Sequence, residues 1–531
     1  MKKTFLYWIF QIFFGCIRFL WHCILSLKYG GKGKVVSPAT KPLLLKSATQ
    51  LAREIRNGKI KSEEVVQAYI ERILEVEPYI NATGERCFED ALTKAREVDS
   101  LVVSGNHSKE FLLKEKPLLG VPFSVKHQFM VKDLPCTSGC KLFENLIAVR
   151  DAPAVAMMKK AGAILITTTN IPELTTDLET NNELYGRTKN PYDANRTSGG
   201  TSGGEAALIA AGGSVLGLGT DSLGSVRIPA HFTGIFSHKP TRDLVSNEGC
   251  FPPESPDKPP KLPKPDIYKI VSTGPMCRYA EDLVISMRIL SFNNGIKTNF
   301  DKQVDFRKIK VRYLKEIRSP GVPPVHKDIA NALKKAVYYL ENHYNITAEE
   351  VKMPLLYDAM RCIMGTLHRY VKNPKETLLG SKDSDFNEKK DFLKSFIGKS
   401  VLNFTNLAIL NFSFISEWYM HDKVSYYEKM SEDWSTEFNK LLDENTVLLM
   451  PTSPVIAPYH SESTLLIPIV CYSGIFNITG LPVTHCPMGL TKKGLPYGIQ
   501  IVGRANNDAL TIACAIELEK AFGGWKSPGE L

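Results

Sequence analysis

The chain has 531 residues, with 66 Lys+Arg against 56 Asp+Glu and a formal net charge of +10. Eight of those bases (Lys2, Lys3, Arg18, Lys28, Lys32, Lys34, Lys41 and Lys46) lie in the first fifty residues, which hold no acid. The remainder carries 58 bases against 56 acids, a poor electrostatic footprint for DNA or RNA. At 43% hydrophobic and 23% charged, the composition is globular rather than disordered. Of eleven cysteines only Cys136 and Cys140 lie close together, and no second pair completes a zinc site. Reduced thiols in or facing the cytosol are the simplest reading. Seven Asn-X-Ser/Thr triplets (Asn81, Asn106, Asn195, Asn345, Asn403, Asn411 and Asn477) keep a luminal location open.

Residues 1–35 read as a membrane anchor and hinge. The run from Phe5 to Leu27 is long enough to cross a bilayer as a helix, and no small-residue cleavage site follows it. Gln11, Arg18 and His22, spaced by seven and four, share one helical face. A central Arg costs about 2.5–3.5 kcal/mol on insertion scales unless it finds a partner. The stripe therefore fits a spanning helix that packs against something, or a helix lying in the interface. Lysines are more numerous after the run than before it, which favours a cytosolic body. An endomembrane and a lipid-droplet surface are both open as locations.

Gly30, Gly31 and Gly33 form a hinge, and a body follows from residue 40. Two helices come first. The second is expected to start at Ser62, capped by that hydroxyl, with Val65, Val66, Tyr69, Ile70, Ile73 and Leu74 on the helical period. Apolar runs at 118–126 and 162–170 have strand length, and a helix-like stretch from Ala152 to Lys160 separates them. That alternation predicts an α/β domain with some parallel pairing. Nine of the 37 glycines fall between Ser198 and Ser225, around a helical EAALIAA. Seven prolines in 251–265 predict an extended surface loop. Val401 to Tyr419 reads as a core helix or an amphipathic lid. Two strands and a helix from Ala509 to Phe522 end the chain.

The glycine-rich stretch lacks the lysine of a phosphate loop, and it follows no dinucleotide fingerprint. No Gly-x-Ser-x-Gly elbow or His-Glu-x-x-His is present. What remains is three hydroxyl residues among glycines (Thr201, Ser202 and Ser225) and Lys126 at the end of an apolar strand. A buried lysine loses its charge and becomes a general base at ambient pH. A hydroxyl between that amine and a serine can relay the proton, and amides of a glycine turn can hold an oxyanion. A solvated lysine beside a plain loop is the competing reading of the same residues.

GVPFSVK, SGGTSGGEAAL, GLGTDSLGSVRIPA and GIFSHKPT resemble the amidase-signature hydrolases, and GPMCRYAEDL, GLPVTHCPMGL and the late FGGW resemble its fatty-acid amide hydrolase branch. The resemblance runs from about residue 40 to the C-terminus. It implies an α/β fold with a large twisted mixed β-sheet surrounded by helices. It implies a lipid amide as substrate, no cofactor and no metal, and it leaves a homodimer open. Position by position, Lys126 would be the base and Ser225 the nucleophile. The bridging residue, on a cis peptide twenty-four positions earlier, would be Thr201. The amides of Ser222, Leu223, Gly224 and Ser225 would form the oxyanion hole, with Ser202, Asp221 and Arg227 in support.

Three departures stand out. Thr201 replaces a serine, and its β-branch restricts the rotamer. Leu223 stands where the family has glycine, so a positive φ there would distort the hole. His127 replaces an expected acid, and a protonated imidazole would depress the lysine further. These departures motivate a second reading, a catalytically weakened scaffold. A third, the glutaminase subunit of a tRNA amidotransferase, is opposed by the N-terminal segment and the near-neutral body.

Overall fold

The computed structural model describes residues 2–250, 266–291, 300, 303–371, 373–380, 386–420 and 422–530, without the side chains of 2–6 and 414–420. The proline-rich loop expected at 251–265 lies outside the described residues.

Eleven strands, numbered along the chain, build one sheet: β1 (Thr83–Arg86), β2 (Pro122–Lys126), β3 (Ile164–Thr169), β4 (Leu216–Asp221), β5 (Phe236–Lys239), β6 (Ser272–Cys277), β7 (Lys310–Tyr313), β8 (Ala348–Glu350), β9 (Thr446–Pro451), β10 (Val483–Leu490) and β11 (Pro496–Val502). Their order is β1-β3-β2-β4-β6-β5-β10-β11-β9-β7-β8. β3, β2 and β4 run parallel, as do β9, β7 and β8, and the other neighbours are antiparallel. The sheet is mixed, as expected. Strand alternation sends successive residues to opposite faces. In β9, Val447 and Leu449 join one apolar cluster and Leu448 and Met450 another. The first cluster holds the helices Ser62–Ile80, Glu281–Leu290 and Asp508–Phe522. The second holds Ala359–Tyr370, Val424–Leu441 and Cys471–Thr479. Both faces are covered, and strands such as β4, β5 and β6 are buried at every residue.

The helix after residue 60 spans Ser62–Ile80, but Ser62 does not cap it. Its hydroxyl donates to the Gly120 carbonyl, and the Asp99 carboxylate takes the amides of Ser62 and Glu63 at 2.6 and 3.0 Å. A carboxylate from another helix does the capping, which no local pattern reveals. The Val401–Tyr419 stretch becomes a helix, Phe404–Met420. Its interrupting polar residues have partners: Asn406 is buried and donates to Glu173 at 2.7 Å, and the Asn403 amide donates to the same carboxylate at 2.9 Å.

The N-terminal helix spans Lys2–Tyr29, wider than the apolar run. The partner of its polar stripe is the body itself. Gln11 donates to the Val322 carbonyl at 2.8 Å, and Arg18 to that of Gly321 at 2.6 Å. His22 meets Glu462 at 2.8 Å, and Trp21 donates to Ser461 at 3.1 Å. The opposite face, with Trp8, Ile12, Phe13, Phe19, Leu20 and Ile24, is exposed. By length and composition the helix could cross a membrane. The hinge that follows is held as well, since the Gly33 amide donates to Asp193 at 2.9 Å.

Candidate active site

The parallel strands β3, β2 and β4 end side by side, and their carboxyl ends carry Thr169, Lys126 and Asp221. In α/β sheets that edge is where ligands bind, because the loops leaving it converge there. β2 is buried along its whole length and carries its terminal lysine inside with it. Lys126 is fully buried. Its Nζ donates to Thr201 Oγ1 at 2.5 Å and to Thr220 Oγ1 at 2.9 Å, and Thr220 in turn donates to Gln128 Oε1 at 2.6 Å. Burial lowers its amine from the ordinary lysine value to about 7, against the opposing pull of Cys250, Asp221 and Glu205.

Thr201 follows a cis peptide bond with Gly200 and lies just before the helix Gly203–Ala210. The next residue ties this segment to the nucleophile candidate, for the Ser202 amide donates to the Ser225 carbonyl at 3.1 Å. Ser202 Oγ reaches only the Thr220 carbonyl, at 3.5 Å. Ser225 is 7% exposed, and its hydroxyl makes no hydrogen bond among the described residues.

The turn from Asp221 to Ser225 is organised by one buried ion pair. Arg227 Nε and Nη2 donate to the two Asp221 oxygens at 3.0 Å each, with neither side chain exposed. Burial alone would raise the Asp221 carboxyl, but the Arg227 charge and hydrogen bonds overcome it and hold the group at about 2. The same carboxylate accepts the Gly224 amide at 2.7 Å and the Val226 amide at 3.2 Å. Gly224 is therefore engaged below the turn, and the amides of Ser222, Leu223 and Ser225 have no acceptor among the described residues.

Two expectations are corrected here. Positive φ in the turn falls on Gly224, at 119°, and not on Leu223. A side chain at Gly224 would also collide with Ser473 Oγ. Leu223 keeps an ordinary backbone, its carbonyl accepts from Ser473 at 2.5 Å, and its side chain packs toward Gly474 and Ile363. The expected distortion of the hole does not arise. His127 is not a cation either: burial lowers it to about 4. Its neutral ring joins Thr168 at 2.8 Å and the Tyr185 hydroxyl at 3.2 Å.

Several participants carried no sequence signal. Thr220 and Gln128 flank the amine, but neither type is rare in a strand or turn. Asn477, read only as a sequon, is buried and donates to the Asp221 carbonyl at 2.8 Å while accepting from Arg227 at 2.7 Å. Glu205 is fully buried among Ser124, Thr169 and Gly217, and burial raises it to about 7.

A family profile described as Amidase matches residues 64–512. Fatty-acid amide hydrolase 2-A of Danio rerio is 40% identical over 504 residues, 93% of this chain and 92% of that protein. Fatty-acid amide hydrolase 2 of Homo sapiens is 36% identical over 505 residues, covering 94% and 93%. Among solved structures, one titled Fatty acid amide hydrolase superposes with a TM-score of 0.68 at 21% identity, over 91% of this chain and 86% of that one; at that identity the likeness shows the fold. With the buried lysine, the hydroxyl residues and the glycine turn in place, the chain belongs to the amidase-signature family and is an amide-hydrolysing enzyme.

Proposed function

We propose that this enzyme hydrolyses fatty-acid amides, N-acylethanolamines and primary fatty amides among them, to fatty acid and amine through Ser225, Thr201 and Lys126. The observation that carries the mechanism is the buried Lys126 amine on the Thr201 hydroxyl at 2.5 Å, beside a serine whose own hydroxyl is free to attack. Ser225 Oγ bonds to the amide carbon while its proton passes to Thr201 Oγ1, and the Thr201 proton passes to Lys126 Nζ. The amides of Ser222, Leu223 and Ser225 are the donors available for the oxyanion. The C–N bond breaks as the relay returns the proton to the amine, and water then hydrolyses the acyl-serine by the same route. Asp221, Arg227 and Ser202 hold the turn and the relay segment in register.

Fatty substrates are supported by the relatives' names and by exposed apolar surface. The N-terminal helix offers one such face, and Leu393, Phe396, Ile397, Phe404 and Phe412 offer another. A lipid-borne substrate reaches a body that is itself membrane-associated through that helix. The test is hydrolysis of long-chain primary amides and N-acylethanolamines alongside fluorophosphonate labelling of Ser225. Turnover and labelling are expected in the wild type and absent in Ser225→Ala. A folded protein that neither labels nor turns over any of these amides overturns the reading. For the membrane part, cosedimentation with phosphatidylcholine vesicles should be lost in an Ile12→Asp/Leu20→Asp variant.

A further inference from the structure

Glu205 is a buried acid that the relay does not use. It projects from the helix Gly203–Ala210 to the floor beneath β2, β3 and β4, where β4 has Gly217 and a Cβ would collide with its Oε1. Ser124 donates to that oxygen, and Thr169 donates to Oε2 at 2.7 Å. Both donors are neighbours of Lys126: Ser124 lies two residues before it on β2, and Thr169 is its register partner on β3. Asp221, the other acid near the amine, also raises that amine's proton affinity, and shares its own charge with Arg227. Glu205 has no salt bridge among the described residues, and burial raises its carboxyl to about 7, so its charge acts on the amine from about that pH upward. The remaining titratable group acting on the amine is Cys250, with Thr201, Thr220 and Gln128 as uncharged neighbours.

We propose that Glu205 is a positioning residue whose carboxylate keeps the Lys126 amine basic enough to accept the relay proton. The inference rests on the Ser225–Thr201–Lys126 mechanism above. Burial by itself would strip the lysine of proton affinity, and a base that is too weak cannot draw a proton from a hydroxyl chain. A nearby negative charge restores affinity toward ambient pH, where general bases work best.

The experiment is the pH profile of kcat/KM on a long-chain primary amide, which is uncharged across about pH 5–9, for the wild type and Glu205→Gln. The acid limb of Glu205→Gln is expected about half a unit lower, because the wild-type carboxyl titrates close to the limb itself, with a lower plateau from the weaker base. A role confined to packing would lower kcat without moving the limb, so an unmoved or raised midpoint overturns the proposal. If Glu205→Gln does not fold, Ser124→Ala and Thr169→Val decide. Each removes one donor to the carboxylate, favours its neutral form and should move the limb the same way by less; limbs unmoved in both overturn it. Ser225→Ala and Lys126→Ala separate the two claims: activity surviving in either removes the mechanism, whereas activity lost in both with the Glu205→Gln limb unmoved removes this inference alone.

Discussion

Lys126 and Lys239 are both fully buried, each is the last residue of its strand, and burial lowers each amine to about 7. Their surroundings differ. Lys126 donates to the hydroxyls of Thr201 and Thr220, whereas Lys239 donates to the carbonyl of Pro240 at 2.8 Å. A hydroxyl can hand on one proton while taking another; a carbonyl can only accept. Around Lys239 lie Arg227, Asp221, Asp508 and Arg242, and no nucleophile candidate bonds to it. Burial makes a lysine able to be neutral, and the chemistry of its partner sets whether it can serve as the base of the proposed relay.

Substitution at the two lysines should break the symmetry most. Lys126→Met is expected to lower kcat/KM by about 10²–10⁴-fold and to abolish the rise in activity as pH passes about 7. Lys239→Met should leave that acid limb in place. Its effect belongs to stability: between about 7 and the ordinary lysine value the unfolded chain binds more protons than the folded one, so stability rises with pH in that window. Urea melts across pH should show a smaller rise in Lys239→Met.

Arg227 stands between the two surroundings, because it neutralises the Asp221 charge felt by both lysines. Arg227→Ala leaves a buried carboxylate unpaired and should cost about 3–5 kcal/mol in urea unfolding. Thr201→Val removes the hydroxyl that distinguishes Lys126 from Lys239. A fall of about 10²-fold in kcat with little change in KM is expected, and Thr201→Ser should retain activity. The smallest effect is expected from Leu223→Gly. Because positive φ resides on Gly224, kcat should stay within about threefold of wild type, a bound well under the loss of one oxyanion donor.

The N-terminal helix was legible in both length and polar stripe, since the 3.6 period is local and a stripe must face something. What it faces was not legible, because the Ser319–Val322 and Ser461–Glu462 segments lie hundreds of residues away. Lys126, Thr201 and Ser225 could be named from motif and spacing, and the structure sets the first two 2.5 Å apart. The state of His127 was misread because charge in a histidine follows burial, which one sequence does not display. The Ser62 cap was misread for a similar reason, as a distant Asp99 competes for the same amides.

By itself the sequence determined the period of each element, the uneven placement of charge and the inventory of hydroxyl, glycine and lysine residues able to do acyl-transfer chemistry. Those properties depend on residue type and on spacing along the chain. Tertiary structure alone decided which buried lysine meets a hydroxyl, which residue of the turn carries positive φ, why Asn477 is a strut rather than a surface sequon, and that Glu205 lies against the strands that carry Lys126 and Thr169. Each of these depends on desolvation and on distance between residues far apart in sequence, and both arise only when the strands close into a sheet.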